Sequence, residues 1–440
     1  MAPGPRLVTV IIKCYPIRSA ESQRCRPREV FMDRGDMSAG VCEGPAPELP
    51  GVVDSEAILV QSAEALGELC SRLRGCDAVG MDTEFVRSRT YFPTLGLIQI
   101  VADGGVFLVD PLGVDDLSPL VEILADPRLI KIFHSCQEDL EALYYLCGFA
   151  PGPVFDTQVA ASFLGYGFQP GYGSLVKALF GVELDKDETR SNWIKRPLSE
   201  SQLIYAAQDV RYLPAMYSIL GQALTEQGRL SWAREECAAL EGEARFETDA
   251  ACYYLRMRSL WQFDRRELAA LRDLSAWREH EAMSRDLPRS FVLDDKSLRA
   301  VVRDWPGKLA DLAAVEGMRP QVVRRSGKVI LAMLRQARQL PEEELPPAHG
   351  RPLHTHALKA AADEAKAALD RRAGELGLPP ELLAPRKLVA DMMCDLFMGQ
   401  ADAPWKHITG WRAQAVGESL LRNLAERHAR QRQSYRSSDD

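Results

Sequence analysis

Three short apolar runs, Ala78–Phe85, Leu95–Val101 and Gly105–Val109, follow one another before any crossover segment and constrain this chain more than any other feature. Runs of this length bounded by turn residues read as β-strands. Asp103-Gly104-Gly105, between the last two, is a hairpin-type turn. Parallel neighbours need a long crossover, so the three runs predict an antiparallel meander. The pattern then changes to alternation. Leu117–Leu124 reads as a helix and Leu129–Phe133 as a strand. Ser135-Cys136-Gln137-Glu138 has the form of a capping box opening a helix that Gly148 stops. Val154–Phe155 is a short strand feeding a helix through Leu164. A helix over Ser174–Phe180 and a long one from about Ser199, kinked at Pro214, complete the region. With an amphipathic helix over Glu64–Leu73 ahead of the meander, residues 55–240 predict an α/β domain, a mixed sheet flanked by helices.

After about residue 240 the strand signals stop. Residues 251–340 predict an all-α bundle of roughly five helices. Residues 341–354 form a Pro- and Glu-rich linker, 355–430 a second helical set, and 431–440 a polar tail. Residues 1–54, rich in Pro, Gly, Arg and Glu, predict a poorly ordered extension. Charge divides along the same boundary: 14 Lys and Arg against 25 Asp and Glu over 55–240, and 33 against 30 over 241–440. An acidic front and a mildly basic rear fit a metal-dependent site joined to an accessory binder, but on charge alone they fit two unrelated solvated surfaces better. The ten cysteines form no CxxC pair, which argues against structural zinc and a disulfide framework and for a reducing compartment. No stretch approaches the ~20 apolar residues of a membrane span. A cytoplasmic protein with no membrane partner is expected.

The first strand of the meander ends in Asp82-Thr83-Glu84. Alternate strand positions share a face, so the two carboxylates stand side by side, where they repel unless a cation lies between them. A lone Asp-x-Glu reads better as a strand entering a solvated turn. Other residues add weight: Asp139 in the first turn of a helix that follows a strand end, and Tyr205 and Asp209 four apart on one helix face.

Together Met81–Phe85, His134–Leu140 and Tyr205–Leu213 resemble the three exonuclease motifs of the tyrosine-bearing branch of the DEDD superfamily. The run from Asp82 to Gln99, with Asp110-Pro111-Leu112 and Asp185-Lys186, resembles the bacterial ribonuclease D family, and the likeness covers about 55–430. It implies a ribonuclease H-like exonuclease domain followed by two all-α HRDC (helicase-and-RNase-D C-terminal) domains. It also implies a site in which Asp82, Glu84, Asp139 and Asp209 hold two Mg²⁺ or Mn²⁺ ions. Asp82 would bridge them, Glu84 and Asp209 would complete the nucleophile-side ion, and Asp139 would hold the other through water. Tyr205 would orient the attacking water, since a phenol is a poor base at neutral pH. The implied activity is 3′→5′ trimming of precursor tRNA by a monomer, with release of 5′-mononucleotides. The same metals on DNA, or a non-catalytic nucleic-acid-binding module, are the alternatives.

For RNA itself the expected contacts are Arg87 and Arg89 just past the first motif, Gln99, and the basic aromatic loop with Arg190, Trp193, Lys195 and Arg196. Each has a plainer reading: a solvated strand edge for the arginines, a core amide for Gln99, packing for Trp193. Tyr166, Phe168 and Tyr172 read as loop anchors, His134 as structural, and the Arg324, Arg325 and Lys328 cluster as a wet helix face. The rear domains are expected to add RNA affinity while being separable from the chemistry.

Overall fold

The computed structural model describes residues 51–184, 191–242, 249–349, 356–398, 400 and 402–436. Most of the predicted N-terminal extension, Asp185–Arg190 and part of the linker lie outside them.

Six strands form one mixed sheet in the order β1-β4-β3-β2-β5-β6: β1 Ala57–Val60, β2 Ala78–Val86, β3 Thr94–Ala102, β4 Gly105–Val109, β5 Ile130–Phe133 and β6 Val154–Asp156. The predicted meander is β2–β3–β4, antiparallel throughout, while β1 joins β4, β5 joins β2 and β6 joins β5, all in parallel. The four-residue β1 was not anticipated, being too short for its alternation to register. Alternation along β3 sends Leu97 and Val101 to one face and Ile98 and Ile100 to the other. The second face packs on Leu66 and Leu69 of α1 (Ala63–Leu73), Leu120 of α2 (Ser118–Leu124), and Leu140 and Leu143 of α3 (Gln137–Cys147). The first face packs on α4 (Thr157–Phe163), α5 (Tyr172–Phe180), α6 (Glu200–Arg211), α7 (Leu213–Glu226) and α8 (Leu230–Ala238). Gly80 permits the approach of α7, because a Cβ there would lie 2.4 Å from Val101 and 2.9 Å from Leu213.

Two helix entries differ from expectation. Ser135 does not cap α3: it sits at φ 65°, and the N-cap, Cys136, makes no side-chain bond. Buried Asp156 replaces it, accepting the Ser135 and Cys136 N–H groups at 3.1 and 2.9 Å while capping its own α4 through Gln158 and Val159. One carboxylate thereby fixes the starts of two helices. The long helix after Ser199, entered through a Ser199/Gln202 capping box, is broken rather than kinked. It stops at Arg211, and Pro214, with no N–H to donate, falls in the first turn of α7.

Beyond α8 in the chain, α9 (Arg265–Ser284), α10 (Arg289–Val292), α11 (Asp295–Asp304), α12 (Leu309–Ala314) and α13 (Pro320–Gln339) close a bundle with its own core around Leu271, Leu298 and Ile330. The second set is α14 (His356–Glu375), α15 (Pro380–Leu383), α16 (Arg386–Met398), α17 (Ala403–His407), α18 (Gly410–Val416) and α19 (Glu418–Arg436). The last helix runs into the predicted tail. This second set has no separate core: Leu369, Met392 and Trp411 belong to the same buried cluster as Phe163 and Leu220. No described helix is long and apolar enough to cross a membrane.

Candidate metal and nuclease site

The acids converge from three elements in two layers. Asp82 and Glu84 leave the end of β2 on the face covered by α6, which brings Asp209. Carboxylate oxygens of Asp82, Glu84 and Asp209 lie within 4.8 Å of one another. Asp139 comes from the first turn of α3 in the opposite layer. Its Oδ1 accepts both the Thr83 N–H at 3.0 Å and the Thr83 hydroxyl at 2.6 Å, while its Oδ2 bonds to no protein group among the described residues. A polar pocket of about 430 Å³ is lined by these four acids together with Tyr205, Tyr172 and His134. All five residues expected at the centre of the site are therefore in one cavity.

Burial pushes every one of these carboxyls up, and repulsion from the other pocket acids adds to it for Asp82, Glu84 and Asp209. Asp82 is raised well above the usual range by burial, then by Asp139, Asp209 and Glu84. Glu84 is pushed up to about 8 by burial, with Asp209 and Asp139 adding to it. Asp209 rises to about 7 through burial, against a hydrogen bond from Tyr205. Asp139 reaches about 6, burial outweighing its two bonds from Thr83. Four acids with no cationic side chain among the pocket-lining residues cannot all ionise near neutral pH unless positive charge enters. Hard divalent cations take carboxylate oxygens, so the donor set fits them.

Tyr205 bonds to Asp209 one helical turn away, and its ring tilts against Trp193 at 6.2 Å. Tyr172 is a residue whose part the sequence reading missed. Its hydroxyl donates to the Gln208 carbonyl at 2.9 Å and accepts the Tyr212 N–H at 3.4 Å. It stands where an i→i+4 helical bond would run, directly beyond Asp209. Pro214 was the available signal, since it marks the break that the phenol fills.

The expected RNA contacts divide. Trp193 is 2 % exposed and lies against Gly96, where a Cβ would come 2.5 Å from the Trp193 carbonyl, so no face is open to a base. Arg196 is a clamp: Nε and Nη2 grip buried Asp110 at 2.8 and 2.6 Å, and Nη1 and Nη2 also bond the carbonyls of Trp193, Lys195 and Gly96. Burial pushes Asp110 up, yet bonds from Arg196, Gln61 and Leu112 hold it below the usual range. Gln99 is fully buried beside Asp82, with its Nε2 3.4 Å from Oδ2 and its Oε1 unpartnered. Arg87 bonds Glu141 at 2.7 Å outside the pocket, Arg89 is exposed, and Arg190 lies outside the described residues. His134 is held structurally by Thr157 and the Pro170 carbonyl.

Comparison with known proteins gives the family. Residues 57–225 match the 3′-5′ exonuclease family and residues 267–334 the HRDC domain. Ribonuclease D of Pseudomonas paraeruginosa is 38% identical over 371 residues, 83% of this chain and 96% of that protein. Ribonuclease D of Escherichia coli is 35% identical over 370 residues, 84% and 98% of the two chains. The crystal structure of Escherichia coli RNase D, an exoribonuclease involved in structured RNA processing, superposes with a TM-score of 0.77 at 34% identity, covering 85% of this chain and 99% of that one.

Proposed function

This chain belongs to the ribonuclease D family of 3′→5′ exoribonucleases, and from that premise we propose that it trims the 3′ ends of precursor tRNA as a cytoplasmic monomer, releasing 5′-mononucleotides. Asp82, Glu84, Asp139 and Asp209 are the proposed holders of two divalent cations, Mg²⁺ or Mn²⁺. The observation that supports this most is the convergence of three carboxylates within 4.8 Å, with a fourth in the same pocket. Such ions, when bound, lower the pKa of water and neutralise charge on the leaving oxygen.

The protein's own groups do the rest. Asp82 and Glu84, fixed by strand geometry, present oxygens on one face. Thr83 holds one oxygen of Asp139 and so aims the other. Tyr205, tied to Asp209, orients the attacking water by hydrogen bond. Gln99 steadies Asp82 from β3.

Product analysis on a 3′-extended tRNA tests this. Nucleoside 5′-monophosphates are expected with Mg²⁺ or Mn²⁺ and none with chelator. Asp82→Asn is expected to lower the rate more than about 100-fold. Intact RNA in the presence of either metal, or a faster reaction on single-stranded DNA of the same sequence, overturns the assignment.

A further inference from the structure

The segment after β2 runs from the exonuclease domain into the face of the first bundle, and a cleft of about 540 Å³ opens between the two, a size typical of ligand sites. Arg87 and Tyr91 line one wall, and Tyr253, Arg256 and Arg289 the other. Arg87 is three residues past Glu84, about 10 Å along an extended strand, so the cleft begins where the acid pocket ends.

Its guanidinium groups are held in place before any ligand arrives. Arg87 donates Nε to the Tyr91 carbonyl at 3.2 Å and Nη2 to Glu141 at 2.7 Å. Arg289 donates Nε and Nη2 to buried Glu279, both at 2.6 Å, and Nη2 also to the hydroxyls of Tyr91 and Tyr253 at 3.0 and 3.2 Å. Its guanidinium carbon lies 4.9 Å from the centroid of each of those two rings, and that of Arg256 lies 4.7 Å from the Tyr253 centroid. The Nη1 groups of both Arg87 and Arg289 bond to no protein atom among the described residues. Each wall thus offers a fixed guanidinium with an unused N–H edge. Little entropy remains to be lost when such an edge meets an anion, and its geometry matches phosphate. Alternating arginine and tyrosine also suits a single strand. Asp294 and Asp295 also line the cleft, where Asp295 holds Arg278, so the edges of Arg87 and Arg289 are the ones left to meet anions.

We propose that this cleft is a second RNA site, shared by the exonuclease domain and the first bundle, which grips the phosphodiester groups of the strand whose 3′ end occupies the acid pocket. It rests on the exoribonuclease reading and adds where the upstream strand is held.

Ser88 and Ser290 are exposed at the mouth of the cleft on opposite walls, outside the ionic network. Ser88→Glu with Ser290→Glu introduces two carboxylates without unpairing Glu279. Affinity is read by anisotropy of a labelled single-stranded RNA in chelator, so that it does not depend on cleavage. The double variant is expected to raise Kd about ten-fold and to lower the slope of log Kd against log salt by about 0.7 for each phosphate no longer neutralised. Thr225→Glu, on the exposed face of α7, makes the same kind of charge change and is expected to move Kd less than about two-fold. Metal-dependent turnover of a dinucleotide, too short to reach the cleft, is expected to be the same in parent and double variant. An unchanged Kd in the double variant, or an equal rise in Thr225→Glu, overturns the cleft as an RNA site. A parent enzyme that turns over neither dinucleotide nor RNA overturns the exoribonuclease reading, and Kd still decides the cleft.

Discussion

The exonuclease domain meets its two helical neighbours through seams of opposite kind. Toward the second set the seam is apolar. Phe163 of α4, Trp232 of α8 and Trp411 of α18 pack ring to ring, with centroids 4.7 to 6.5 Å apart, inside one continuous core. Its polar bonds trim the edge: Trp411 donates its indole N–H to Glu236 at 2.8 Å, and Arg412 grips the same carboxylate at 2.8 and 2.9 Å. Toward the first bundle the apolar contact shrinks to Tyr91, Ala282 and Val292, with Phe92 and Trp277 against them. Directional bonds replace it there. Asp286 accepts the Tyr91 and Phe92 N–H groups at 2.9 and 3.0 Å, and Glu279 takes Arg289 and the Tyr91 hydroxyl. An apolar seam adds stability in proportion to area and has no preferred direction. A polar seam adds less net stability but fixes geometry. The polar seam is the one that orders the segment leaving the acid pocket and leaves a cleft beside it.

The contrast has measurable consequences. The largest follows from removing residues 356–440. The second set is not expected to be separable, because the cut uncovers Phe163 and Trp232, which pack on Trp411. An insoluble or molten product is expected, and a cooperative, near-parental melting transition would break the distinction between the seams. Next is Trp411→Ala, expected to lose about 3–5 kcal/mol by denaturant unfolding, with kcat per folded molecule unchanged.

Third is the pH response of metal-free protein, which has opposite signs at two places. The pocket acids have folded pKa values raised above their unfolded ones, so the native state binds more protons and stability falls as pH rises from about 4 toward 8. Glu279 is held below its usual range, bonds from Arg289 and Tyr91 outweighing burial. Its contribution is full above its unfolded pKa and lost as pH falls through the folded one. In chelator Tm is expected to drop by several degrees between pH 5 and pH 8, Mn²⁺ to reverse the drop, and Asp82→Asn to flatten it. A Tm that rises over that interval in chelator contradicts the repulsion. The smallest effect is Tyr91→Phe, about 1 kcal/mol, since Glu279 keeps Arg289. A loss as large as that of Trp411→Ala would mean that the two seams do not differ in kind.

Local spacing paired the site residues, and the resemblance to the DEDD exonuclease motifs joined the pairs to Asp139. Asp82 and Glu84 share a face because strands have a period of two, and Tyr205 and Asp209 meet because four residues make about one helical turn. These relations hold wherever the strand or helix is placed. Likewise the meander, the alternation after it and the helical rear followed from periodicity.

What the sequence could not determine is which surfaces are covered. Trp193 and Arg196 sit in a loop with the composition of a nucleic-acid contact, yet one is core and the other a clamp on Asp110, because Gly96 and Asp110 lie distant in sequence and adjacent in space. Asp156 displaced Ser135 as the cap of α3 for the same reason. The fused core of the second helical set and the open cleft at the first are likewise outcomes of packing. Short-range geometry is set by bonds along the chain, whereas burial and charge pairing depend on residues that only the tertiary fold brings together.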